Sequence, residues 1–241
     1  MATRTDGRRA DQLRPIEIRR GYTNHAPGSV LISAGGTRLI CTAMPDESVP
    51  PFLENKGIGW VTAEYDMLPS STPQRRVRDC QRGHRDGRSQ EIQRLIGRAL
   101  RAVARRDRLG ERTIYIDCDV LQADGGTRTL AITGAFVALC DALRCLQRRG
   151  VIRRSPVVTH VAAVSVGIVG GRPMLDLCYA EDANADVDLN LVMDGRGRII
   201  EVQGTAEREP FSRADLDRLL SLAARGIRKL ISIQRRALSG Q

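Results

Sequence analysis

The stretch from Thr113 to Arg149 constrains this chain most. Over Thr113 to Leu121, Ile114, Ile116, Cys118 and Val120 alternate with Tyr115, Asp117 and Asp119, the period-two pattern of a half-buried strand. The strand runs straight into Gln122-Ala123-Asp124-Gly125-Gly126-Thr127-Arg128-Thr129, and an apolar helix follows over Ala131 to Arg149, ended by Gly150. A strand joined to a helix through two glycines lets backbone N–H groups approach an anion closely, and the unpaired amides of the helix start point at it. Arg128 adds a planar fork of donors, so the junction reads as a phosphate cradle. The sequence has no G-x-x-x-x-G-K-S/T run, which excludes a nucleoside-triphosphatase P-loop here.

The flanking regions fit an α+β fold. Ile16 to Arg20, Ser29 to Ser33, Thr37 to Met44 and Ile58 to Tyr65 read as a β meander, punctuated by Gly28, Gly35-Gly36 and Pro50-Pro51. Residues 69–88 are arginine-rich and full of turn formers, which predicts a solvated, mobile loop. A helix then begins near Ser89, with Ile92, Leu95, Ile96, Ala99, Leu100 and Val103 on one face. In the second half, Val157 to Val169 with Met174 to Cys178, and Val187 to Met193 with Ile199 to Val202, read as two hairpins. Ser212 caps a terminal helix, with Asp215 as its capping-box partner. The expectation is a single domain over 1–241 with internal halves of about 1–150 and 151–241 and no obvious linker.

The 241 residues carry 38 Lys+Arg against 28 Asp+Glu, a net charge of +10 that is nearly all arginine. That excess favours an anionic partner without naming it. The six cysteines include no C-x-x-C pair and the three histidines form no helical ligand pair, which argues against zinc. The charged opening MATRTDGRRADQLR has no apolar run, and Val157 to Val169 is too interrupted to span a bilayer. The expectation is a cytoplasmic protein with no membrane partner and reduced, mostly buried thiols.

Two further groups carry chemistry. Glu181, Asp182, Asp186 and Asp188 fall within eight residues, and a strand starting near Val187 turns Asp186 and Asp188 to one face, with Asp182 reaching back from the loop. Clustered carboxylates repel unless a proton or cation holds them, and hard oxygen donors favour Mg²⁺ or Mn²⁺. Arg88 sits at a helix start against the macrodipole, a placement that makes sense if an anion lies between them. A solvated acidic turn and a plain surface arginine are the structural alternatives.

The runs Gly87 to Arg98, Asp117 to Thr129, Glu181-Asp182, Glu201 to Glu207 and Gly59 to Pro69 closely resemble bacterial ribonuclease PH, and the resemblance covers essentially the whole chain. It implies a ribosomal protein S5 domain 2-like α+β fold. It also implies a phosphorolytic 3′ to 5′ exoribonuclease that trims tRNA precursors and other RNA 3′ ends, with inorganic phosphate as co-substrate and nucleoside diphosphates as products. The reverse reaction extends RNA 3′ ends. By the same resemblance Arg88, Gly126, Thr127 and Arg128 hold phosphate, and Asp182 and Asp188 are the metal-associated acids, with Mg²⁺ or Mn²⁺ as the ion. Asp182, Asp188, Arg88 and Arg128 together form the catalytic set. Arg75 and Arg78 serve RNA binding and assembly of a homohexamer, a trimer of dimers. Ser70 departs from the family pattern where an arginine is often found. Two rivals remain: a silent RNA-binding ring subunit, and a hydrolytic nuclease releasing monophosphates.

Overall fold

The computed structural model describes residues 4, 6–78, 81, 83–84 and 86–240. The alternating segments of the first half form β1 (Ile16–Arg20), β2 (Gly28–Ala34), β3 (Thr37–Asp46), β4 (Trp60–Met67) and β5 (Thr113–Gln122). They make one sheet in the order β1-β2-β3-β5-β4, antiparallel except for the β4–β5 pair. Parallel neighbours need a crossover, and helix α1 (Gly87–Ala102) supplies it. Its Ile92, Leu95, Ile96, Ala99 and Leu100 are buried, as the spacing predicts.

Helix α2 (Thr127–Arg148) leaves β5 through the glycines and packs against β2 and β3 on one side and the second sheet's β6 on the other. Among the described residues it is long and apolar enough to cross a membrane, but most of that stretch is inside the protein. Ile132, Phe136 and Leu139 are fully buried, and each such side chain contributes about 1.5–3 kcal/mol. The second sheet comprises β6 (Val161–Val169), β7 (Arg172–Leu175), β8 (Val187–Asp194) and β9 (Ile199–Ala206) in the order β7-β6-β8-β9, all antiparallel. A one-turn helix α3 (Tyr179–Asp182) precedes β8, and α4 (Arg213–Ser239) covers the sheet through Leu219, Ala223, Ile227 and Leu230. The Ser212–Asp215 capping box is formed. Buried Gln234 on α4 donates to the carbonyls of Thr133 (3.0 Å) and Val161 (2.9 Å), tying α4 to α2 and β6.

Three expectations are corrected. Helix α2 begins at Thr127 rather than Ala131, because Gly126 takes a left-handed conformation (φ 66°) that starts the helix at once. Strand β9 extends to Ala206, well past Val202. The arginine-rich loop is not solvated throughout: Ser71 is buried, its carbonyl accepts the Ala123 N–H at 2.8 Å, and the Arg76 N–H bonds the Pro69 carbonyl at 2.8 Å. Cys80, Arg82 and Arg85 of that loop lie outside the described residues. Cys41, Cys118 and Cys178 are buried thiols, and Cys140 and Cys145 are partly covered.

Candidate active site

The cradle is built by close backbone contact. Gly125 and Gly126 both have positive φ, and a Cβ on Gly125 would lie 2.7 Å from the Leu177 carbonyl oxygen and the Cys178 carbonyl carbon. Only glycine fits there. Thr37 Oγ1 donates to the Gly125 carbonyl (2.8 Å) and accepts from the Asp124 N–H (2.9 Å), pinning the turn to β3. No side chain caps α2, so its first-turn amides remain as anion donors. Thr127 is anchored by the buried Tyr65 hydroxyl at 2.8 Å, and Thr129 Oγ1 bonds back to the Gly126 carbonyl.

Beyond the cradle lies a cleft of about 420 Å³ lined by Arg88, Glu91, Arg128, Asp182, Asp188, Asn190, Gln203, Thr205 and Glu207. Arg128 Nη1 donates to Gln203 Oε1 (2.9 Å) and Glu91 Oε1 (3.3 Å), and Gln203 Nε2 returns to Glu91 at 2.8 Å. Arg98 pairs with Glu201 at 2.8 Å along the same seam. These contacts join α1 and α2 to β9, so the cleft spans both halves of the chain. Arg88, at the first turn of α1, is exposed and enters the cleft from its rim.

The opposite wall is the polar face of the β8–β9 hairpin, where Asp188 pairs with Thr205 and Asn190 with Gln203 across the strands. Asp188 accepts from Asn190 Nδ2 at 3.3 Å through Oδ2, and its buried Oδ1 has no hydrogen-bond partner among the described residues. Burial pushes the Asp188 carboxyl up to about 6, the charge of Asp182 adds to the rise and Arg128 opposes it. Burial likewise raises Asp182, against the pull of Arg88 and Arg128. Two carboxylates held in this way want a proton or a cation between them. All donors here are oxygens, which fits Mg²⁺ or Mn²⁺. Among the described residues no three His, Cys, Asp or Glu side chains form a metal cage, so an ion would complete its shell with water and ligand oxygens.

The structure therefore brings Arg88, Thr127, Gly126 and Arg128 to the same end of the molecule as Asp182 and Asp188. It separates the other two acids. Asp186 and Asp188 alternate with buried Ala185, Val187 and Leu189 as the spacing predicts, but Asp186 faces Arg208 at 3.6 Å and is not part of the cleft wall. Glu181 is a structural buried acid: burial alone would raise its carboxyl, but Arg4 and the Cys178 N–H outweigh that and hold it low. Arg75 and Arg78 are exposed and lie outside the cleft. Glu91, Asn190, Gln203, Thr205 and Glu207 were not singled out from the sequence. The signal was there in the alternation of polar residues 201, 203, 205 and 207 along one strand.

Residues 12–144 match the 3′ exoribonuclease family, domain 1, and residues 159–226 match its domain 2. The chain belongs to the 3′ exoribonuclease family. The two matched segments meet at the cleft, with the cradle and α1 from domain 1 and the acids and β9 from domain 2. Solved structures share the fold of this exoribonuclease-family chain. The Archaeoglobus fulgidus exosome with RNA bound to the active site is 22% identical with a TM-score of 0.80, covering 95% of this chain and 91% of that one. Rice (Oryza sativa) Rrp46 is 20% identical with a TM-score of 0.80, over 98% of this chain and 100% of its own. An archaeal exosome core is 20% identical with a TM-score of 0.78, over 97% and 91%.

Proposed function

We propose that this chain is a phosphorolytic 3′ to 5′ exoribonuclease that shortens tRNA precursors and other RNA 3′ ends. It uses inorganic phosphate, releases nucleoside 5′-diphosphates, and in reverse adds nucleotides to the 3′ end. The observation that carries the reading is the convergence of Arg88 and Arg128, from two different helices, on one cleft with Asp182 and Asp188.

A phosphate dianion and a phosphodiester repel each other, so a protein that joins them must supply fixed positive groups. The cradle amides and the guanidinium of Arg128 are such groups, and Glu91 and Gln203 fix the plane of that guanidinium through Nη1. Arg88 adds the second charge from the rim of the cleft. Asp182 and Asp188 would hold Mg²⁺ or Mn²⁺, which when bound neutralises charge developing on the phosphodiester oxygens. Exposed Arg75 and Arg78 provide contacts for RNA phosphates and for a neighbouring subunit in a homohexameric trimer of dimers.

Likeness to exosome core proteins favours a second reading, a ring subunit that binds RNA without cutting it. The full set of Arg88, Arg128, Asp182 and Asp188 in one cleft weighs against it. Incubation with RNA, Mg²⁺ and phosphate decides: diphosphates support phosphorolysis, monophosphates indicate hydrolysis, and intact RNA indicates the silent subunit.

A further inference from the structure

The N-terminal segment is charged and has no apolar run, yet Arg4, Arg8 and Arg14 are buried, while Arg9 stays exposed. Arg4, Arg8 and Arg14 expose 2%, 5% and 3% of their side chains; Arg4 meets Glu181 (6% exposed) and Arg14 meets Asp176 (8%), while Arg8 pairs most closely with Asp6 (38%) at 2.5 Å and lies 3.6 Å from both Asp176 and Glu181. Guanidinium groups are almost never buried unless paired, and here each is paired.

Arg14 works on the cradle. Its Nη2 and Nε bond the two carboxylate oxygens of Asp176 at 2.7 and 3.1 Å, while Nη1 donates to the Asp124 carbonyl at 2.6 Å and the Gly125 carbonyl at 3.4 Å. The N–H and C=O of one planar peptide point in opposite directions. Holding the carbonyls of Asp124 and Gly125 on the Arg14 side therefore sets the direction of the Gly125 and Gly126 amides. Arg4 works on the acid. Its fork bonds Glu181 at 2.6 and 2.5 Å, one residue before Asp182, and also reaches the carbonyls of Leu175 (2.7 Å) and Asp176 (2.9 Å). Arg8 donates to the same Asp176 carbonyl at 3.0 Å. Asp176 itself is left-handed (φ 56°), a conformation a non-glycine residue keeps only when its surroundings fix it.

We infer that Arg4, Arg8 and Arg14 form a positioning strap that sets the phosphate cradle at a fixed distance from Asp182. The cradle and the acid-bearing turn already touch, since the Tyr179 N–H bonds Asp124 Oδ1 at 3.2 Å and Gly125 packs on Leu177 and Cys178. The strap locks that contact from behind. Its role rests on the phosphorolytic reading, because the distance it sets is that between phosphate and the acids.

Lysine keeps the charge but cannot bridge a carboxylate and two carbonyls as a fork does. Calorimetric titration with inorganic phosphate and steady-state phosphorolysis of wild type, Arg14→Lys and Arg4→Lys test the strap, with urea unfolding as the folding control. Arg14→Lys should raise the phosphate Kd and the KM for phosphate on the order of 10-fold or more, with a smaller change in kcat. Arg4→Lys should lower kcat on the order of 10-fold and leave the phosphate Kd near wild type. If Arg14→Lys does not fold, the kcat-against-Kd split of Arg4→Lys decides alone. Constants within about twofold of wild type, or Kd and kcat worsening together in step with lost folded protein, overturn the strap. Wild type that binds phosphate yet makes no diphosphate sinks the phosphorolytic reading, and the phosphate Kd of Arg14→Lys then decides the strap. Wild type that binds no phosphate sinks both.

Discussion

Replacing Asp188 with asparagine should make the metal-free protein more stable while removing its activity. The Asp188 carboxyl is pushed from an ordinary 3.8 up to about 6, by burial first and by Asp182 next. A shift of about two pKa units at about 1.4 kcal/mol each makes the ionised form cost roughly 3 kcal/mol. Partial exposure to solvent reduces this to roughly 2 kcal/mol. The sign follows from proton uptake. Between 3.8 and about 6 the folded protein binds more protons at this residue than the unfolded chain does, so its contribution to stability falls as pH rises through that window. The cost is complete above about pH 6 and absent below about pH 4. Asparagine keeps the shape and removes the charge. Urea unfolding in the presence of a chelator should therefore show Asp188→Asn ahead of wild type by roughly 2 kcal/mol at about pH 8, with the gain shrinking toward zero near pH 4. Added Mg²⁺ should raise the midpoint of wild type more than that of the variant. A variant less stable than wild type at about pH 8, or a gain that does not change with pH, would refute the reasoning.

Arg88→Ala and Arg128→Ala should each lower phosphorolysis and the diphosphate-consuming extension by about 10²- to 10³-fold, with tRNA retention on filters nearly unchanged. Asp182→Asn should abolish turnover and flatten its dependence on Mg²⁺, whereas Asp186→Asn, which loses only the Arg208 contact, should keep most of both. In Gly125→Ala the new Cβ would sit 2.7 Å from backbone atoms of Leu177 and Cys178 at φ 75°, so calorimetry should show a loss of about 3 kcal/mol together with weaker phosphate binding. The double change Arg75→Ala with Arg78→Ala should move the particle from hexamer toward dimer in light scattering and weaken binding to structured tRNA. The tRNA affinity of wild type should fall as salt rises.

Features set by short-range pattern were legible in the sequence. The buried stripe of α1, the Ser212–Asp215 box and the glycine pair that turns β5 into a helix all depend on residues within a few positions of one another. The start of α2 was not legible, because Thr127-Arg128-Thr129 carries no apolar period and the helix begins from the backbone freedom of Gly126. The arginine strap was hidden for a different reason. Arg14 bonds Asp176 across 162 positions and Arg4 bonds Glu181 across 177, and nothing local distinguishes a guanidinium bound for the interior from one bound for water. Partners outside the local pattern also hid the split among the four acids, since only the fold shows that Glu181 belongs to Arg4 and Asp186 to Arg208.

Helix α2 is the most enclosed helix among the described residues and the base of the cradle, so the amides proposed to meet phosphate are the tip of an element that resists local opening. Arg88 instead stands at the exposed first turn of α1, beside a loop with few apolar anchors. On the phosphorolytic reading, phosphate would enter a seat whose ordering cost was met when the chain folded, while the ordering that accompanies RNA would fall on the rim. Amide exchange should record that contrast directly, slow at Leu130 and Ala131 with or without ligand, and slowed near Arg88 only when an RNA end is present.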